Sequence, residues 1–385
     1  MTHKDRYIRA LHHQESGCVP CAPELWFLVP ARLSGLKFYE ISPGSFFIPE
    51  LHKMPLWKVQ LDCARFFDVC GWVVVFPEIE NQKVKFEAKW NVQQDGRLKL
   101  DLFYHSNQDF LESYLCPPDD APWYIVHPVK NFEDWKWFKE IAFPDLSFLK
   151  IDDLEKVYQE VGDAGIVSVA VGGLFFDFLI SSREGGLESV FEDLYEHPDF
   201  FRDLHQEYID FLKSKVAYLC KMTTYFDELF IGCSYSSLPI VSPQIYQEWE
   251  IPLLKELANT ARKYNRPLHL HQHGRVREIM EDIVSTGINL VCPLESPPLG
   301  NVDLSWVKEK YGNRIALKGN VSTTILCEGP LEAIEEEVRK CIKKASLGGG
   351  YILGTGDQVH RDTPFEHIKF MKEMAEKYGK YPTIL

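Results

Sequence analysis

Beyond about residue 160 the chain alternates between short apolar runs rich in β-branched residues and longer stretches of helical periodicity. The strand-like runs are 166–171, 228–233, 267–272, 288–292, 314–318 and 350–354. Helical patterns fill the intervals at 188–220, 242–264, 276–286, 305–311 and 331–346, with Ser242 and Ser305 as candidate N-caps. Strand–helix alternation at this spacing predicts parallel βα units. Adding the runs at 71–76 and 123–127 gives eight strands, hence an α/β fold of the (β/α)8 TIM-type barrel. A doubly wound open sheet is the competing architecture, but no G-x-G-x-x-G follows a strand. Residues 78–104 behave differently, alternating apolar and polar positions around Asp95-Gly96, a hairpin signal. We therefore expect one barrel domain over 1–385, with 78–128 as a β-hairpin and loop insertion capping the barrel.

Composition narrows the function classes. Of 385 residues, 45% are hydrophobic and 25% charged, and the net charge is −14 with no basic stripe, so nucleic acid is not an expected partner. No apolar run approaches the roughly 18 residues of a membrane span, and the first residues lack the apolar core of a signal peptide. Ten scattered cysteines then read as reduced thiols of a cytoplasmic protein. Cys18 and Cys21 form a lone C-x-x-C without a second pair, and read as buried thiols.

In such barrels chemistry gathers where strands end. The expected strand ends offer His271 and His273, Glu295, Asn320, Asp357, and Ser234 with Tyr235. His269, His271 and His273 share one face of a strand. At about 3.3 Å per residue the outer two stand roughly 13 Å apart, too far for one ion with metal–nitrogen bonds of about 2.1 Å. His271 and His273 can converge, and His269 is expected deeper, as a hydrogen-bonded core histidine. H-x-H alone also suits amidohydrolase-type metal hydrolases. Those place it on the first strand with histidines on later ones, whereas only His360 and His367 follow here. A binding scaffold without metal is the non-enzymatic alternative.

A family resemblance sharpens this. Ser242-Pro243-Gln244 with Tyr246 and Pro252, His271-x-x-Gly274, Lys318-Gly319-Asn320-Val321, Gly349-Gly350-Tyr351-Ile352-Leu353 and Thr363-Pro364-Phe365-Glu366 occur in an order that resembles the uroporphyrinogen decarboxylase superfamily. Asp5-Arg6-Tyr7-Ile8-Arg9-Ala10-Leu11 leading to Val19-Pro20 is similar as well. The resemblance implies an (α/β)8 barrel. The decarboxylase branch resembles itself in an arginine-rich N-terminal segment that meets a poly-carboxylate substrate. The matching stretch here, residues 24–32, holds only Arg32. The corrinoid-dependent methyltransferase branch carries zinc on a histidine and two cysteines. Laid on this chain those positions are His271, His273 and Asp357, both departures keeping a ligand-capable side chain. Glu295 is a candidate fourth ligand or neighbouring acid, and Asn320 a candidate orienting group.

Imidazole and carboxylate are harder ligands than thiolate and leave zinc more positive, which suits polarising oxygen. The expected function is a zinc-dependent methyltransferase, an O-demethylase component. It moves methyl from an O-methyl donor, a phenyl methyl ether, to the cobalt of a corrinoid (cobalamin) on a separate, transiently bound protein. Trp26, Phe175, Phe176 and Phe178 are expected to line an aromatic substrate pocket, with Tyr235 donating to a ring substituent. The alternatives are a uroporphyrinogen decarboxylase-like decarboxylase and a methylcobamide:thiol methyltransferase.

Overall fold

A computed structural model describes residues 1–41, 48, 50–79, 85–105 and 110–382. Seven parallel strands form one curled sheet: β1 (Gly71–Val75), β6 (Gly165–Gly173), β7 (Glu228–Gly232), β8 (Leu268–Gln272), β9 (Leu290–Pro293), β10 (Ala316–Val321) and β11 (Tyr351–Thr355), neighbours in that order. Between β1 and β6 in sequence, β2 (Lys85–Val92), β3 (Leu98–His105), β4 (Phe110–Cys116) and β5 (Trp123–Val126) make a separate antiparallel sheet. The parallel strands are largely apolar because outer helices cover one face and the barrel interior the other, with polar side chains such as His269 and Lys318 turned into that interior. β8, β9, β10 and β11 are buried at every residue.

The run at 123–127 is not a barrel strand. Its residues Trp123–Val126 pair antiparallel with β4, Tyr124 opposite Tyr114. The eighth position is taken by residues 19–22. Leu353 N–H donates to the Pro20 carbonyl (2.9 Å), the Leu353 carbonyl accepts from Ala22 N–H (2.8 Å), and Cys70 N–H donates to the Cys21 carbonyl (2.8 Å). This short segment thereby ties β11 to β1. The lone C-x-x-C belongs to this seam, and both of its thiols are buried and free.

The Asp95-Gly96 turn joins β2 to β3 as a hairpin, Gly96 taking φ +85°. Several helices are more segmented than their periodicity suggests. The stretch 188–220 splits into Gly186–Glu196 and Pro198–Met222, where Pro198 opens the second helix. Ser242 caps as expected, accepting from Ile245 N–H, whereas Asp303 rather than Ser305 caps Leu304–Tyr311. Helix His3–Leu11 packs Tyr7, Ala10 and Leu11 with Ile166, Ile352 and Cys70. Among the described residues, no helix is long and apolar enough to cross a membrane.

Candidate metal centre at the barrel mouth

β8 delivers the two outer histidines. His271 lies on the strand and His273 just beyond it, and their rings converge with Nε2 atoms 2.8 Å apart. Gly274 then turns the chain with φ +82°, where an added Cβ would stand 2.4 Å from the Leu238 carbonyl. That turn lets Glu295, just after β9, hold both residues: Oε1 faces His273 Nδ1 at 2.9 Å and Oε2 accepts from Gly274 N–H at 2.6 Å. His273, Glu295 and Asp357 bring ligand-capable atoms within 4.8 Å of one another, and so do Glu24, His271 and Cys292. Thus Asp357 lies with His273, and His271 connects the two groups. His269 sits fully buried below, facing Glu228 at 2.8 Å and Cys292 at 3.0 Å, the interior position expected for it.

Glu24 is the residue that sequence reasoning missed. It follows the seam segment, is buried, and its Oε1 lies 3.5 Å from His271 Nδ1. The only sequence signal was a carboxylate inside the apolar stretch CAPELWFLV. Burial pushes its carboxyl up to about 7, opposed by Lys318 and His273 and reinforced by Asp357 and Glu295. Asp357 is likewise raised by burial and by Glu295, against His273. Burial alone would depress His273, but Glu295, Asp357 and Glu24 hold its imidazolium up to about 9. His271 is driven well below the ordinary imidazole value by burial and by the neighbouring His273, His269 and Lys318. Two buried polar atoms here lack hydrogen-bond partners, Glu24 Oε2 and Lys318 Nζ; the ammonium sits 3.5 Å over the Trp72 ring. Converging imidazoles flanked by carboxylates are a donor set that zinc accepts, and the unpartnered Glu24 oxygen leaves capacity for a cation or bound ligand.

An aromatic wall flanks His271. Trp26 lies 5.5 Å from Trp72 and 5.8 Å from both Phe230 and Phe76, and the His271 ring is 6.3 Å from Trp72 and 6.1 Å from Phe230. Trp26 was expected here; Trp72, Phe76 and Phe230 were not singled out. The structure does not bring Phe175, Phe176 and Phe178 to this wall. Phe175 and Phe176 are fully buried, Phe175 against His205 (4.7 Å) and Trp249 (5.6 Å) and Phe176 against Phe191 (5.6 Å), while Phe178 stacks on Tyr208 (4.9 Å). They open helix Phe175–Ser182 and serve the core between helices. Asn320 lies within β10, not beyond it. Its amide N–H donates to the Leu294 carbonyl (2.6 Å) and its amide oxygen accepts from the Cys341 thiol (3.7 Å), so the fold engages both ends of the side chain. Tyr235 is 44% exposed on the loop after β7, where Asp177 accepts its backbone N–H at 2.9 Å.

The family model described as uroporphyrinogen decarboxylase (URO-D) matches residues 117–378. Among curated proteins, the uroporphyrinogen decarboxylase of Trichodesmium erythraeum is 29% identical over 139 residues, 36% of this chain and 37% of that protein. A chloroplastic uroporphyrinogen decarboxylase of Oryza sativa subsp. japonica is 23% identical over 266 residues, 68% of this chain and 62% of that one. The chain thus spans about two fifths to three fifths of the length of these relatives. Among solved structures, a methyltransferase from Methanosarcina mazei superposes with a TM-score of 0.65 at 18% identity, covering 98% of this chain and 99% of that one, a likeness of fold. With the family match covering well over half of its length, the chain belongs to the uroporphyrinogen decarboxylase family.

Proposed function

We propose that this protein is a methyltransferase that takes methyl from an oxygen-linked donor, a phenyl methyl ether, and passes it to the cobalt of a corrinoid carried on a separate protein. The observation that carries the reading is the convergence of His271 Nε2 and His273 Nε2, 2.8 Å apart, beside three carboxylates at the barrel mouth. His271, His273 and Asp357 would hold zinc, which when bound supplies Lewis acidity toward an ether oxygen. Glu295 fixes the His273 ring from its Nδ1 side, and Glu24 stands on the Nδ1 side of His271, so both Nε2 atoms are left for the metal. Trp26, half-buried and backed by the buried Trp72 and Phe230, would offer its ring to a planar substrate. Tyr235, exposed at the rim, would donate to a ring substituent. In this reading the four-stranded sheet β2–β5 caps the barrel.

The fate of Arg32 supports this reading over porphyrinogen decarboxylation. Its Nη1 donates to the carbonyls of Arg361 (2.7 Å) and Thr363 (2.8 Å), and its guanidinium lies over Phe365, so the one arginine of segment 24–32 is turned toward the chain's own C-terminal region. The expected experiment combines the purified protein, reduced cobalamin, and a panel of methoxyaromatics, methanol and methylamines. Methyl-cobalt absorbance should rise with oxygen-linked donors. Silence toward every one of them, or turnover of uroporphyrinogen, would refute the assignment. Metal analysis should find about one zinc per chain, lost in His271→Ala and in Asp357→Ala; zinc kept in both variants would overturn the ligand assignment.

A further inference from the structure

A continuous run of polar side chains descends inside the barrel from the mouth toward its floor. Trp72 Nε1–H donates to Ser168 Oγ (2.8 Å), and Ser168 O–H donates to Glu228 Oε1 (2.7 Å). The same carboxylate oxygen faces His269 Nδ1 at 2.8 Å, and Tyr7 O–H approaches Oε2 at 3.4 Å. His269 Nε2 meets Cys292 Sγ at 3.0 Å, and Cys292 Sγ meets His271 Nδ1 at 3.1 Å. Glu228, His269 and Cys292 are each fully buried, and the registers His269–Leu290 and His271–Cys292 set the contacts by strand pairing.

The direction of every bond follows from counting donors. A carboxylate only accepts, so His269 must carry its proton on Nδ1. Its Nε2 is then a lone pair and can only accept, so the Cys292 S–H points at it. The sulfur in turn accepts from His271, which places that proton on Nδ1. We infer that Glu228 is a positioning residue for the mouth: through His269 and Cys292 it fixes the His271 tautomer whose Nε2 presents a lone pair. Glu24, 3.5 Å from the same Nδ1, favours the same tautomer from the other side. His271 is thereby held in the form a metal requires without a water-mediated contact. The inference rests on the proposed metal site only for its consequence, because the tautomer belongs to the metal-free protein.

The test uses the full chain, metal-free, with 15N-labelled histidine. Long-range 1H–15N correlation reads the protonated nitrogen of each ring, with His269→Gln and His271→Gln supplying assignments. Both rings should carry hydrogen on Nδ1; an Nε2–H His271 in the parent overturns the inference. Cys292→Ser keeps a group that both donates and accepts, and should preserve the pattern and a zinc affinity close to the parent's. Cys292→Ala interrupts the run and should mix the His271 tautomers and weaken zinc, measured by chelator competition, about tenfold or more. An unchanged His271 spectrum in Cys292→Ala would overturn the inference. Glu228→Met removes the accepting end and should move the His269 proton to Nε2; if that variant does not fold, the Cys292 pair still decides. Absence of zinc binding with the tautomers as stated would overturn the proposed function and leave this inference standing.

Discussion

Glu295 commits both carboxylate oxygens to one turn, the ring of His273 and the backbone N–H of Gly274. Glu295→Gln puts an amide N–H₂ against one of those donors, so one contact becomes donor against donor. We expect zinc affinity to fall about 10- to 100-fold, measured by chelator competition, and an unchanged affinity would remove Glu295 from the centre. Gly274→Ala tests the turn itself. With φ +82° and the Leu238 carbonyl 2.4 Å from the added methyl, the variant should lose more than about 1 kcal/mol in denaturant unfolding. Legibility at this scale followed local regularity. His271 and His273 were readable because period-two geometry places them on one face at a strand end. Glu24 was not, because nothing in the pattern of CAPELWFLV marks it as the end of a barrel segment. Asn320 was misread for a related reason: β10 runs on through Val321, so a residue taken for a strand end is inside the strand.

Elements are held at the mouth by two more carboxylates, the half-buried Asp177 and the fully buried Glu250. Asp177 accepts the backbone N–H groups of Ser234, Tyr235 and Ser236, fixing the loop after β7. Glu250 accepts from Phe175 N–H, Phe176 N–H and Ser236 O–H, joining the start of helix Phe175–Ser182 to the same loop. Burial pushes the Glu250 carboxyl from its ordinary 4.5 up to about 7, against the pull of those donors. The folded chain therefore holds a proton that the unfolded chain releases at lower pH. This contribution to stability is complete below 4.5 and is lost as pH rises through about 7. In melts between pH 5 and 8 the parent should lose more stability toward the alkaline end than Glu250→Gln; parallel profiles would show that this carboxyl does not titrate in that window. Seven of the barrel strands were legible because short β-rich runs alternate with helical patterns at regular spacing. Trp123–Val126 imitates such a run, yet Trp123 and Ile125 are 47% and 46% exposed, so its outer face meets solvent. Apolar composition alone does not tell a strand buried on both faces from one with an exposed aromatic face.

For the whole molecule, what the sequence did not disclose is how the barrel closes. A seven-stranded curled sheet leaves two edges, on β1 and β11, and an unpaired edge is a row of unsatisfied donors and acceptors. Residues 19–22 satisfy both edges with few hydrogen bonds and carry Glu24 into the mouth, while Val19 N–H binds the Gly379 carbonyl at 2.8 Å and links the seam to the chain's other end. Four residues including a proline are too short to register as a strand, so the closure depends on tertiary pairing and not on local propensity. Helix His3–Leu11 adds to it by packing Tyr7, Ala10 and Leu11 with interior residues of four strands or seam positions, among them Ile166, Ala22, Cys70 and Ile352. Deleting residues 1–23 removes seam and helix together, exposing both sheet edges and the apolar residues beneath the helix. The truncated chain is therefore expected to lose the cooperative transition and near-ultraviolet circular dichroism of the full chain, and to self-associate in size-exclusion chromatography through its freed edges. A truncated chain that stays monomeric and melts in one sharp transition would show that β1 and β11 need no intervening segment.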